Sequence, residues 1–237
     1  MDINISEIFA SVQGEGRHLG HPSVFVRTSG CNLRCKWGDT LCDTPYTSWD
    51  PEHVTMSVEA VVHEVDRLRE ESGHIDHCVL TGGEPVLHNA SAPLCDALSA
   101  RGFFITVETN GTRFMPLTAD FISISPKLNS SVPVGTSVAA RHESLRINIP
   151  VIRQWLELYT CQLKFVVDRA DDETEIVQIL AELGDGVPTD TVYLMPQGIS
   201  ADQLHENSGT CLDICRRRGW RFTPRSHIEL FGNERGT

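Results

Sequence analysis

The sequence is short of positive charge. Its 237 residues carry 20 lysines and arginines against 32 aspartates and glutamates, for a formal net charge of −12. Gripping a nucleic acid backbone takes cations that displace its counterions, so no nucleic-acid partner is expected. Long apolar runs are lacking too. None approaches the ~20 residues that span a bilayer, so no membrane partner is expected either. The opening residues, MDINISEIFA, contain neither the basic region nor the apolar run of a signal peptide. The expected location is cytoplasmic. No segment repeats, none is of low complexity, and no linker interrupts the chain. Residues 1–237 read as a single domain.

What is present is a 40% share of hydrophobic residues, enough for a core, and eight cysteines. In a reducing cytosol these argue against a disulfide framework. Cys78, Cys95 and Cys161 lie in apolar or periodic stretches and read as small core residues. Cys211 and Cys215, four apart on a predicted helix, read as half-buried helix positions rather than metal ligands. Cys31, Cys35 and Cys42 differ, because they fall together in CNLRCKWGDTLC.

The hydrophobic pattern alternates strand-like and helix-like segments. Strands are expected at 23–28, 77–81, 103–109, 121–125, 162–168 and 191–195. Helices are expected at 58–71, 91–102, 149–160, 171–184 and 201–219. Strands separated by helices imply a parallel α/β sheet joined by crossovers. Six strands fall short of the eight of a full barrel. Residues 127–150 show no period and read as a flexible flap or extended insert. The polar motifs RTSGC, TGGEP, ETNG, SPK and MPQG each follow a predicted strand. In a parallel barrel those strand ends make one face, where active sites are built.

Three thiolates are an incomplete set. A structural zinc site takes four ligands, and no second cysteine knuckle is nearby, though His53 or a distant histidine could complete one. A cubane iron–sulfur cluster held by three thiolates leaves one iron open to a small chelating molecule. Both readings stand on the residues alone.

The cysteine group after the first predicted strand, with TGGEP after the second, resembles the radical S-adenosylmethionine (SAM) enzymes. Their usual spacing is C-x3-C-x2-C. Here it is C-x3-C-x6-C, and removing Gly38 to Leu41 restores it. That implies a four-residue insertion. The competing alignment puts Gly38 in the third ligand position and leaves Cys42 spare. The motifs SVQGEG, FVRTSGCNLRC, CDTPYTSW, LTGGEP, ETNG and SPK, in that order, are together similar to the 7-carboxy-7-deazaguanine synthases.

The resemblance implies a partial (β/α)6-type radical SAM barrel, usually a homodimer. It also implies a lyase that converts 6-carboxy-5,6,7,8-tetrahydropterin to 7-carboxy-7-deazaguanine with loss of ammonia. The implied cofactors are a [4Fe-4S] cluster on Cys31, Cys35 and Cys42, SAM, and Mg2+ on Thr44. A flavodoxin or ferredoxin would supply electrons. The substrate would meet Val12, Gln13, Gly14 and Glu15, with Arg27 on its carboxylate. Thr81, Glu108 and Asn110 would line it at strand ends, and His227 and Thr237 would approach from the C-terminus. SAM would meet Leu41, Cys42 and Asp43, then Gly83 and Glu84, then Ser125, Pro126 and Lys127. Met195, Pro196, Gln197 and Gly198 would cover its adenine.

Two other readings compete. A radical activase acting on a partner protein shares the three cysteines and GGEP, but leaves QGEG and CDT without a purpose. A zinc-stabilised interaction module would be colourless, whereas an iron–sulfur protein is brown.

Overall fold

The computed structural model describes residues 1–184 and 186–237. In chain order, β1 (Asp2–Val12) and β2 (Pro22–Thr28) are followed by the short strands β3 (Lys36–Trp37) and β4 (Thr40–Leu41). Next come α1 (Pro45–Ser48), β5 (Val54–Ser57), α2 (Val58–Ser72), β6 (His77–Gly82), α3 (Ser91–Ser99) and β7 (Phe104–Thr109). β8 (Phe121–Ile124), α4 (Ala139–Leu145), α5 (Ile149–Leu158), β9 (Cys161–Val167), α6 (Asp172–Leu183) and β10 (Val192–Pro196) follow. α7 (Ala201–Arg218), β11 (Arg221–Phe222) and α8 (Ser226–Phe231) complete the chain.

Among the described residues, nine strands form one sheet in the order β11-β10-β9-β8-β7-β6-β2-β1-β5. All six expected strands are there, adjacent and parallel, from β2 through β10. The sheet remains open, because the edge strands β5 and β11 do not pair with each other among the described residues. β1 is antiparallel to both β2 and β5. Periodicity alone does not reveal β1. Its register shifts between Ile5 and Glu7, and a bulge of this kind breaks the two-residue alternation on which strand reading depends.

The helices sit where their patterns predict. Val58, Val61, Val62 and Val65 line the buried face of α2, and Ser57 Oγ caps its start by accepting from Ala60 N. Asn148 caps α5 in the same way, ahead of Pro150. Between sheet and helices lies one continuous core that includes Leu80, Ile105, Ile122, Trp155 and Phe165. Cys78, Cys95 and Cys161 are buried in it as expected. Cys211 and Cys215 are buried as well, not half-buried. No described helix is long and apolar enough to cross a membrane.

The segment 127–150 corrects an expectation, for it is neither a flap nor extended. A short helical turn at Asn129–Ser131 leads into α4. Arg146, buried, pairs with Glu143 at 2.7 Å and Glu175 at 2.5 Å. His142, also buried, accepts the backbone N–H of Arg34 at Nδ1. Polar contacts, which leave no hydrophobic period, hold this segment against α6 and the cysteine loop.

Candidate active site

The loops that follow the parallel strands surround one deep pocket. Its walls include Cys31, Cys35, Cys42, Arg27, Glu15, Glu108, Lys127 and Lys164. Two backbones meet closely at its edge. A Cβ on Gly83 would lie 2.2 Å from the carbonyl oxygen of Gly30, so only glycine lets the TGGEP turn rest on the loop that carries Cys31. Gly83 N donates to Thr28 O, and Glu84 N to Gly30 O.

The cysteine loop explains the odd spacing. β3 and β4 form a two-residue hairpin, pairing Lys36 with Leu41 and Trp37 with Thr40. Gly38 occupies its tip at φ +55°, where a tight hairpin requires glycine. The chain leaves, turns and returns, so that Cys42 N donates to Cys35 O at 3.2 Å. Residues 36–41 are thereby set aside as a hairpin, and Cys42 returns beside Cys35, both lining the pocket. Trp37 and Leu41 line it as well.

The donor set fits an iron–sulfur cluster. The three thiols share the pocket with Leu33 and Trp37 in an apolar group. Burial pushes the thiol of Cys31 up to about 11, and those of Cys35 and Cys42 upward as well. Thiols so placed stay protonated at neutral pH until a cation offsets the lost solvation. Donors already face the sulfurs: Leu33 N lies 3.4 Å from Cys31 Sγ, and Ser48 Oγ 3.1 Å from Cys42 Sγ. Among the described residues no three His, Cys, Asp or Glu groups close on a single ion. His53, the candidate fourth zinc ligand, is exposed and outside the pocket.

The same pocket holds a network of paired charges. Lys164, buried in β9, bonds Glu15 and lies 3.7 Å from Glu108. Arg225 reaches Glu15 at 3.2 Å, bonds Asp43 on the cysteine loop, and donates to Gly198 O. Burial pushes the Glu15 carboxyl up, but the charges of Lys164 and Arg225 more than reverse this and hold it well below the carboxylate range. Glu108 also accepts from Thr81 Oγ1 at 2.7 Å and from Gln13 Nε2 at 3.3 Å. His227 lies 3.9 Å from Glu15. Arg27 donates through Nε to Glu7 at 2.6 Å, and Tyr46 O–H donates to the same oxygen at 2.7 Å. Asn233, Glu234, Arg235 and Thr237 of the C-terminal tail complete the rim.

Most of the residues picked out in the sequence meet here. Val12, Gln13, Gly14, Glu15, Arg27, Thr81, Glu108, Asn110, His227 and Thr237 all line the pocket. So do Leu41, Asp43, Thr44, Gly83, Ser125, Lys127, Met195 and Gln197. Four do not: Glu84, Pro126, Pro196 and Gly198. Glu84 is the instructive case. Its side chain turns inward, fully buried, and accepts from Thr109 Oγ1, Asn110 N and Val86 N. Burial raises its carboxyl to about 7. It braces the ETNG loop from behind. Pro126 is buried and does not line the pocket, Pro196 ends β10, and Gly198 O accepts from Arg225.

Glu7, Tyr46, Lys164 and Arg225 were missed. Lys164 had a signal: a cation inside QLKFVVD, a strand otherwise suited to burial on both faces. Arg225 and Tyr46 meet partners that are distant in sequence, and nothing local marks them.

The family model for the Radical SAM superfamily matches residues 25–134. A 7-carboxy-7-deazaguanine synthase of Halobacterium salinarum is 43% identical, over 97% of this chain and 90% of its own length. One from Rhodopirellula baltica is 42% identical, over 98% of this chain and 88% of its own. The crystal structure of QueE from Escherichia coli superposes with a TM-score of 0.69 at 27% identity, covering 94% of each chain. The chain belongs to the 7-carboxy-7-deazaguanine synthase family of radical SAM enzymes.

Proposed function

We propose that this protein is a radical SAM lyase that converts 6-carboxy-5,6,7,8-tetrahydropterin to 7-carboxy-7-deazaguanine with release of ammonia, a step of 7-deazapurine biosynthesis. One observation carries the reading. Three thiols share one pocket with paired carboxylates and a guanidinium, which suit a flat, polar, anionic ligand.

Cys31, Cys35 and Cys42 would hold the [4Fe-4S] cluster. SAM would lie against Gly83, Ser125, Lys127, Met195 and Gln197. Together, when bound, cluster and cofactor supply the carbon radical that takes a hydrogen atom from the substrate.

The chain's own residues do the rest. Glu15 stays ionised because Lys164 and Arg225 face it, so it accepts the N–H donors of the pterin edge. Glu108, turned by Thr81 and Gln13, presents a second acceptor. Arg27 offers its guanidinium to the substrate carboxylate. Three fixed contacts hold the reacting carbon in the narrow geometry that hydrogen transfer requires. Leu33, Trp37, Phe9 and Phe25 supply the apolar surface that keeps water away.

Thr44 is our candidate magnesium ligand. Thr44 lines the pocket, its hydroxyl 3.5 Å from Asp43 Oδ1, and Mg2+ commonly takes few protein ligands beside water and substrate. We further propose a cytoplasmic homodimer reduced by a flavodoxin or ferredoxin.

The test is anaerobic incubation of iron-reconstituted protein with SAM, a reductant and the carboxy-tetrahydropterin. The expected products are 7-carboxy-7-deazaguanine and ammonia. SAM cleavage without either, and with a radical left on a partner protein, would instead identify an activase.

A further inference from the structure

We propose that Glu7 is a positioning residue that aims Arg27 and so makes the pocket select a carboxylated pterin. The inference rests on Arg27 as the carboxylate clamp.

It begins with the bulge in β1. Val24 and Val26 of β2 face the helical layer, as do their partners Ala10 and Ile8. Phe25 and Arg27 face the pocket. In an unbroken register the odd-numbered residues of β1 would all share one face. They do not. Ile3 and Ile5 are in the helix-facing core, whereas Phe9 lines the pocket and Glu7 pairs with Arg27. Ser6 is the extra residue that reverses the faces. The reversal has a cost, since Ser6 Oγ is buried without a hydrogen-bond partner among the described residues. Bulges beside active sites commonly re-aim a side chain, and this one turns Glu7 inward.

Glu7 then does two things with one atom. Its Oε1 accepts Arg27 Nε at 2.6 Å and Tyr46 O–H at 2.7 Å. A guanidinium has a side edge that includes Nε and an end fork of two Nη groups. Occupying Nε leaves the end fork for the ligand and stops the group from rotating about its stem. The Nη atoms of Arg27 bond no described residue, and the side chain lines the pocket. Tyr46, on the helix just after Cys42, ties this aim to the cysteine loop.

Electrostatics separates aim from charge. A carboxylate at position 7 neutralises Arg27 and by itself weakens the attraction for an anion. The benefit of Glu7 must therefore be geometric, and a neutral acceptor in the same place should serve. Glu7→Gln keeps the accepting oxygen; Glu7→Ala removes it.

The experiment measures binding, so it does not depend on turnover. Protein carrying its cluster and SAM is titrated anaerobically by calorimetry with 6-carboxypterin and with pterin. The parent should prefer the carboxylated ligand about thirtyfold, within the range for a charge-assisted hydrogen bond. Glu7→Ala should compress this preference to about threefold by weakening 6-carboxypterin alone, with iron content and SAM affinity unchanged. Glu7→Gln should keep the parent preference. In an Arg27→Met background, which also removes the stranded charge, Glu7→Ala should change nothing further. The proposal is overturned if Glu7→Ala keeps the parent preference, if both ligands weaken in parallel, or if Gln and Ala fail alike. A preference lost in Arg27→Met but kept in Glu7→Ala would spare the clamp and remove only Glu7. A parent that binds as described but forms no 7-carboxy-7-deazaguanine would fail the lyase reading instead.

Discussion

Lys164 is the residue on which the pocket's charge balance turns. It is buried between two acids, and removing one partner of a buried pair leaves an uncompensated charge. Lys164→Met should lower stability by about 3 kcal/mol, read from urea unfolding, and should weaken substrate binding more than SAM binding. A second prediction concerns Thr44, which the proposal makes a magnesium ligand. Thr44→Val is close in shape but cannot coordinate. It should retain full iron, lower turnover and blunt the response to added magnesium; an unchanged magnesium dependence would remove Thr44 from that role. The contrast between these two residues shows what a sequence exposes at this scale. Thr44, Arg27, Glu15 and Glu108 sit inside or beside short motifs, where local order signals chemistry. Lys164 acquires its meaning from Glu15, 149 positions away, and Arg225 from Glu15 and Asp43, 210 and 182 positions away. Pairings over such distances are products of the fold and leave no local pattern.

At the scale of elements, the hairpin β3–β4 makes a sharp prediction. If Gly38 to Leu41, the tip and returning strand of this hairpin, are an insertion, their removal should be tolerated. The shortened loop would run Cys35-Lys36-Trp37-Cys42, and Cys35 and Cys42 already meet through a backbone hydrogen bond. Deleting 38–41 should leave about the parent iron content, measured with the parent after identical reconstitution. By contrast Cys42→Ala should lose the cluster, and Cys211→Ala, deep in the core, should keep it. A deletion variant that cannot hold iron, or a Cys42→Ala variant that holds all of it, would return the third position to another residue. The same hairpin shows why elements were unevenly legible. The six parallel strands are apolar runs flanked by amphipathic helices, and their order follows from the crossover rule. β1 hides behind its bulge. β3, β4 and β11 have two residues each, too few for any period. Residues 127–150 are ordered by Arg146 and His142, whose buried polar bonds resemble a polar loop when only the sequence is read.

Across the whole molecule, one loop joins the stability of the sheet to the shape of the site. Residues 13–21 connect β1 to β2. At one end Gln13, Gly14 and Glu15 line the pocket. Further along, Gly16 N donates to Thr223 Oγ1 at 2.6 Å, and Arg17 N to Gln162 Oε1 at 2.8 Å. His18 then packs edge-on against His77, Phe104 and Phe121. His77 is buried and hydrogen-bonded to Ser23 Oγ and Thr106 Oγ1, both at 2.8 Å. Its surroundings oppose a proton. Burial, then the nearby His18 and His21, pull it down to about 4, with only Asp76 acting the other way. In the unfolded chain the same imidazole titrates near its ordinary value of about 6.5. Between those two values the unfolded chain binds the proton and the folded chain does not, so stability must fall as the pH falls. The contribution of neutral His77 is complete above about pH 6.5 and is lost progressively toward pH 4, in total roughly 2–3 kcal/mol. Urea midpoints measured from pH 7.5 to pH 4.5 should therefore decline more steeply for the parent than for His77→Gln, which has no proton to gain. Acid also titrates the cluster thiolates, but equally in both proteins, so the difference in slope isolates His77. Parallel slopes would show that His77 accepts its proton in the folded state as readily as in the unfolded chain. His77 would then play no part in the acid sensitivity of the fold.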